Sequence, residues 1–154
     1  MNGGYLPLIT GLRRNILKRA VKDIRPFSKK FDAIAISGAS GFLIGPSLAD
    51  ILGKKLIIVR KGGERPHGFV VEFSDICENY LIVDDIINTG NTIKRIIKTI
   101  KQQLNNKPDL YSYLSDYPPQ PFGAYIYSQL SCRTSDLKLP EDFVIVYRSA
   151  NKED

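Results

Sequence analysis

The chain has 154 residues, of which 43% are hydrophobic and 25% charged, and it carries a formal net charge of +6 at pH 7. That length is about one domain with a single sizeable core, and the composition is that of a soluble globular protein rather than a disordered or fibrous one. No apolar run approaches the ~20 residues of a membrane span, and a lone histidine with two distant cysteines, Cys77 and Cys132, excludes most zinc-site designs.

The N-terminus has no cationic segment ahead of an apolar core and a small-residue cleavage site, so a cytoplasmic location is the expectation. The positive charge suits a phosphorylated small molecule or a nucleic-acid backbone, and charge alone does not choose. Lys and Arg are spread along the chain with no RNA-recognition, zinc-finger or helix-turn-helix signature, which disfavours nucleic acid as a partner. The cluster Lys94, Arg95, Lys98 and Lys101 reads as the solvated face of one helix.

In chain order, residues 1–10 read as an extended start. Leu12, Ile16, Leu17, Ala20, Val21 and Ile24 recur at helical spacing with basic residues between them, and Pro26 ends that amphipathic helix. Residues 31–36 form the first buried strand. The small-residue stretch Ser37, Gly38, Ala39, Ser40 and Gly41 then predicts a loop, followed by a helix over 42–52 despite Pro46. Such a turn lets backbone amides approach an anion; the plain alternative is a tight strand-to-helix turn. Residues 56–59 give a second buried strand. Arg60 and Lys61 lead into a glycine-flanked loop with Arg65 and the only histidine, His67, which is what a mobile lid over a pyrophosphate needs, or else a solvent-exposed hairpin loop. A returning strand over 69–73 and a turn over 74–79 follow.

The stretch over 80–92 is the most informative. Tyr80, Leu81, Ile82 and Val83 read as a buried strand that stops at the carboxylates Asp84 and Asp85, since consecutive acids are rarely tolerated inside a core. After Ile86 and Ile87, the run Asn88, Thr89, Gly90, Asn91 and Thr92 supplies small side chains and a glycine able to take positive φ, and helical spacing resumes at Ile93, Ile96, Ile97 and Ile100. A strand, a tight loop and a helix N-terminus present unpaired amides suited to a phosphate. The acids just before them suit sugar hydroxyls or Mg2+. After a break at 105–108, residues 109–121 are expected to be an irregular aromatic segment, with strands over 123–130 and 143–147. Helices alternating with buried strands imply a single α/β domain over 1–154 with a mostly parallel, Rossmann-like sheet. Ligands in such sheets sit beyond the carboxyl ends of the strands, where both small-residue loops meet.

An apolar strand, two acids, a short spacer and Thr-Gly-x-Thr together resemble the motif by which type I phosphoribosyltransferases bind 5-phosphoribosyl-1-pyrophosphate (PRPP). The run over 41–49 and the segment over 53–61 look most like adenine phosphoribosyltransferases, where Ala39-Ser40-Gly41 stands in place of Ala-Arg-Gly. Arg60, Lys61, Arg65, His67 and Gly68 resemble the flexible loop of orotate phosphoribosyltransferases, with one residue more in the spacing. The resemblance implies a PRPP-dependent transfer of the phosphoribosyl group to a nucleobase such as orotate or adenine, with release of pyrophosphate, by a homodimer. It implies that residues 37–41, Arg60, Lys61, Asp84, Asp85 and 87–92 bind PRPP. It further implies that Asp84 and Asp85 hold magnesium or ribose, and that Lys61, Arg65, His67 and Asp85 act in catalysis. On this reading the core runs over about 12–104, and residues 1–11 and 105–154 are candidates for the base-contacting hood. Asn88 stands where hypoxanthine-guanine enzymes place an aspartate, and an amide is no general base, which disfavours that purine mechanism, while residues 139–147 resemble those same enzymes and keep the question open. The rival reading is a PRPP-sensing or nucleic-acid-binding regulator on the same fold.

Overall fold

The computed structural model describes residues 10–62, 70–106 and 112–149. Its strands are β1 (Ala33–Ile36), β2 (Lys55–Val59), β3 (Val71–Phe73), β4 (Asn79–Ile87), β5 (Gln120–Leu130) and β6 (Val144–Tyr147). They form one sheet in the order β3-β2-β1-β4-β5-β6. Every pairing is parallel except β2 with β3, which is antiparallel. The helices are α1 (Thr10–Ile24), α2 (Gly38–Leu52), α3 (Asn91–Asn106) and the short α4 (Ser112–Asp116). The expected single α/β domain with a mostly parallel sheet is the fold of this protein.

All four residues of β1 are buried, as a central parallel strand covered on both faces must be. Alternation divides them. Ala33 and Ala35 join the cluster beneath α3, with Ile93, Ile96, Ile100 and Leu104. Ile34 and Ile36 join the cluster beneath α1 and α2, with Ala20, Ile24, Ile44 and Leu48. The 3.6-residue period of each helix thus meets the two-residue period of the sheet. Close packing fixes α2 in particular, because a Cβ on Gly41 or Gly45 would lie 2.7 or 2.5 Å from the Ile36 side chain. At the opposite end of the sheet, Asp32 accepts the amides of Glu78 and Asn79, tying the start of β1 to the start of β4.

Several local expectations need correction. Residues 38–41 are not a loop, because α2 begins at Gly38, and only Ser37 and the left-handed Gly38 (φ 68°) make the turn. β4 does not stop at its acids but runs on to Ile87, with Asp84 inside the ladder opposite Ile126. The carboxylate is tolerated there because it is hydrogen-bonded. The segment over 109–121 is less irregular than expected, since 112–116 is helical and β5 begins at Gln120. Two of the six strands, β5 and β6, come from the stretch set aside as hood, so the core extends to Tyr147.

Candidate active site

Between β1 and β4 the chain reverses its direction of travel across the sheet: β1 leads outward to β2 and β3, and β4 leads outward to β5 and β6. A crevice opens at such a switch point beyond the carboxyl ends of the strands, because the two connecting segments part to opposite faces. A pocket of about 270 Å³ lies there. Its walls are Ser37 and Ser40 at the start of α2, Lys61 after β2, and residues 84–93, which run from the end of β4 into α3.

Asp84 is the buried carboxylate of the wall, at 6% exposure. Its Oδ1 accepts the Ser40 hydroxyl at 2.8 Å and the Asp85 amide at 2.9 Å. Burial pushes its carboxyl up to about 6, against the lowering effect of the Ser40 and Asp85 amide bonds, and the neighbouring Asp85 carboxyl adds to the rise. Asp85 is half-buried. Adjacent residues of a regular strand face opposite ways, but here the β4–β5 register shifts between Asp84 and Ile86, so both acids line one pocket.

One end of the pocket is the turn into α3. Gly90 takes φ 75°, which only glycine adopts without strain, and a Cβ there would also press on Leu137 at 3.0 Å. The Gly90 carbonyl accepts the Lys94 amide at 3.0 Å as the helix begins, and the Asn91 amide donates to the Thr89 hydroxyl oxygen at 3.4 Å. Asn88, Thr89 and Asn91 are exposed at the rim, while Ile87 lines the wall with its side chain in the core.

On the other side, Lys61 lies against the turn into α2: a Cβ on Gly38 would meet its Cε at 2.7 Å and its Nζ at 3.0 Å. Four of the expected contacts lie off the pocket wall. Arg60 pairs with Glu72 across β2 and β3 at 2.8 Å, and Gly41 is buried against Ile36. Gly38 and Ala39 contribute the helix start rather than pocket wall. Arg65 and His67 lie outside the described residues.

Sequence reasoning missed two residues. The Tyr127 hydroxyl donates to the Ser40 carbonyl at 2.8 Å, anchoring the first turn of α2 to β5. The Arg95 guanidinium donates to the Ser37 hydroxyl at 2.8 Å and is half-buried, so Arg95 leaves the solvated face assigned to it. Nothing in helical periodicity separates Arg95 from its basic neighbours; its length and its place one turn into α3 are the only hints. Lys94, Lys98 and Lys101 do border an open groove, together with Ile97, Lys138, Leu139 and Pro140.

Among the described residues no three of His, Cys, Asp or Glu gather into a metal cage. Magnesium keeps several waters, takes substrate oxygens and needs one or two carboxylates, a demand that Asp84 and Asp85 fit. Among the described residues no helix is long and apolar enough to cross a membrane.

No family model matches the chain. It is similar to an adenine phosphoribosyltransferase of Bifidobacterium longum (strain DJO10A), 36% identical over 118 residues that cover 64% of this chain and 60% of that protein. In structure it is similar to the adenine phosphoribosyltransferase of Saccharomyces cerevisiae complexed with an imino-altritol bisphosphate and adenine, with a TM-score of 0.58 and 22% identity over 88% of this chain and 78% of that one. An orotate phosphoribosyltransferase of Aeropyrum pernix gives a TM-score of 0.55 and 18% identity over 76% of this chain and 59% of that one. The chain spans between half and two thirds of the length of the sequence relatives it matches.

Proposed function

We propose that this chain, which has the fold of the type I phosphoribosyltransferases and resembles them in sequence, transfers the phosphoribosyl group of PRPP to a nucleobase and releases pyrophosphate. The observation that carries the reading is the convergence of Asp84, Asp85, the Thr89-Gly90 turn, Ser37, Ser40 and Lys61 on one pocket at the sheet's switch point. Adenine is the first base to test, because the sequence relatives are adenine phosphoribosyltransferases, and orotate, after the structural neighbour, is the second.

In this reading the amides of the turn over 88–92 hold the 5′-phosphate, and the Asp84 and Asp85 carboxylates accept the ribose hydroxyls. Lys61 and the amides at the start of α2 hold the diphosphate. A base nitrogen forms the new bond to the anomeric carbon as the bond to the pyrophosphate oxygen breaks, and the electron pair leaves with pyrophosphate. Positive charge grows on the ribose, which the acids favour, and negative charge grows on the leaving group, which Lys61 favours. Magnesium, held by Asp84 or Asp85 together with substrate oxygens, would neutralise diphosphate charge. The place of Arg65 and His67 as further cations over the leaving group rests on the resemblance of the sequence. A cytoplasmic homodimer belongs to the same reading, and the exposed Tyr113 and Tyr117 support a contact surface.

Incubating the protein with PRPP, magnesium and a panel including adenine and orotate, and following pyrophosphate release, tests the proposal. Release with one of the bases is the expected result. The basic groove along α3 favours one rival, a PRPP-binding regulator of nucleic acid. PRPP binding without turnover, with a salt-dependent shift of an RNA probe, would select it.

A further inference from the structure

A groove of about 300 Å³ lies between α3 and the segment over 138–140, and it shares no wall residue with the pocket at the switch point. Its floor is apolar: Ile97 and Leu139 are half-buried and pack against the core. Its rim carries Lys94, Lys98, Lys101 and Lys138, all exposed. No acidic side chain lines it, and the acids nearest to Lys138 in sequence, Asp136, Glu141 and Asp142, are exposed outside it. Among the described residues none of the four lysines has an ion-pair partner. Like charges grouped round an apolar floor raise the local positive potential, and the fold does not compensate it.

The backbone at Lys138 points the same way. It has positive φ (φ 47°, ψ 51°), alone in this among the described non-glycine residues, and the left-handed conformation disfavours a side chain. Glycine or asparagine would suit that turn better, and neither would supply a charge. The turn follows the short helix over Thr134–Leu137 and brings a fourth lysine to a groove whose other three stand on α3.

We propose that this groove docks an acidic amphipathic helix of a partner protein, with apolar side chains on the floor and carboxylates on the lysines. Lys94, Lys98 and Lys101 stand at i, i+4 and i+7, a stripe roughly 10 Å long that two turns of a docked helix would match. A nucleic-acid strand would meet the same cations, but no aromatic ring or arginine lines the groove for a base to stack on. A second copy of this chain brings its own net charge of +6. A small molecule would be poorly enclosed, since about 300 Å³ is the lower limit for a drug-sized ligand. Exposed ion pairs contribute little each, so the floor supplies affinity while the lysines select an acidic partner and speed its encounter. The inference does not rest on the proposed function.

The test uses the whole chain and a labelled helical peptide of about fifteen residues, with leucines at i, i+3 and i+7 between glutamates, followed by fluorescence anisotropy. Its comparisons are a scrambled peptide of the same composition, the same helix with lysine for every glutamate, and a labelled single-stranded RNA. The ordered acidic peptide should bind saturably and at least tenfold more tightly than the scrambled one. Reversing two exposed charges in the double variant Lys98→Glu, Lys101→Glu should weaken it by roughly tenfold and let the lysine peptide bind, which also shows the variant folded. No binding of the ordered peptide to wild type, equal binding of the scrambled one, or unchanged affinity in the variant each overturns the inference. RNA that binds more tightly than the peptide and is lost in the same variant overturns it too, and assigns the groove to nucleic acid.

Discussion

The Ser40 hydroxyl donates to Oδ1 of Asp84 at 2.8 Å, joining the first turn of α2 to β4 across 44 residues of sequence. A hydrogen bond to a carboxylate is stronger than one between neutral groups, and its loss leaves a buried acceptor less well satisfied. Ser40→Ala should lower stability by about 1–2 kcal/mol in urea unfolding. It should also weaken PRPP binding, because Asp84 loses the partner that fixes its orientation. Unchanged PRPP affinity would show that the rotamer of Asp84 is set elsewhere.

Burial of Asp84 predicts a pH effect of definite sign. Its carboxyl titrates near 6 when folded, above its ordinary value near 3.8. Below that ordinary value it is protonated in both states and adds no penalty; as pH rises towards 6 the unfolded chain ionises first, and stability falls. Asp84→Asn keeps an acceptor for Ser40 and removes the charge. In magnesium-free buffer the variant should match wild type near pH 3.5 and exceed it progressively up to pH 6.5, as read from thermal midpoints. PRPP affinity should fall in the same variant. A stability difference independent of pH would contradict the assignment.

Lys61 and Asp85 should separate in kinetics. A cation over the leaving group gains strength as charge accumulates there, so Lys61→Ala should reduce kcat by roughly a hundredfold and ground-state PRPP affinity by far less. On the proposed reading Asp85 contacts ribose or magnesium before reaction, so Asp85→Asn should weaken PRPP binding itself. Calorimetry and steady-state rates on both variants check this; an Asp85→Asn protein that binds PRPP with wild-type affinity in magnesium would remove the central motif from the site.

The packing of α2 on β1 should resist any added volume. Gly45→Ala places a Cβ 2.5 Å from Cγ2 of Ile36, which cannot move without disturbing a fully buried strand. A loss of about 1–3 kcal/mol is expected. Because the same shift displaces Ser37 and Ser40 at the start of the helix, pyrophosphate affinity should fall with it.

The strands and the longer helices were legible because β1 is a short apolar run, β5 a mostly apolar one, and α1 and α3 carry a 3.6-residue period, whereas α4 lies in a stretch that reads as irregular. The central motif was legible because its glycine, its acids and its helix start are contiguous. The exact end of β4 was not, since a run of apolar residues closing in two acids looks like a strand running into solvent, and the hydrogen bonds that make Asp84 tolerable come from Ser40, far away in sequence. The start of α2 was misjudged for a related reason: glycine, alanine and serine read as loop, whereas Gly41 and Gly45 are small because Ile36 lies beneath them. Arg95 was invisible as a site residue, because a basic side chain on a basic helix face carries no mark of where it reaches.

The absence of a side chain at Gly38 has an entropic meaning. A free lysine explores many rotamers, and arresting it at a ligand costs up to about 2 kcal/mol of lost rotational freedom. Lys61 is stacked over the bare Cα of residue 38 before any ligand arrives, its terminal atoms filling the room that a methyl group would take. Contact with residue 38 removes part of that freedom, so on the proposed reading the cation is placed beside the start of α2 before a diphosphate binds.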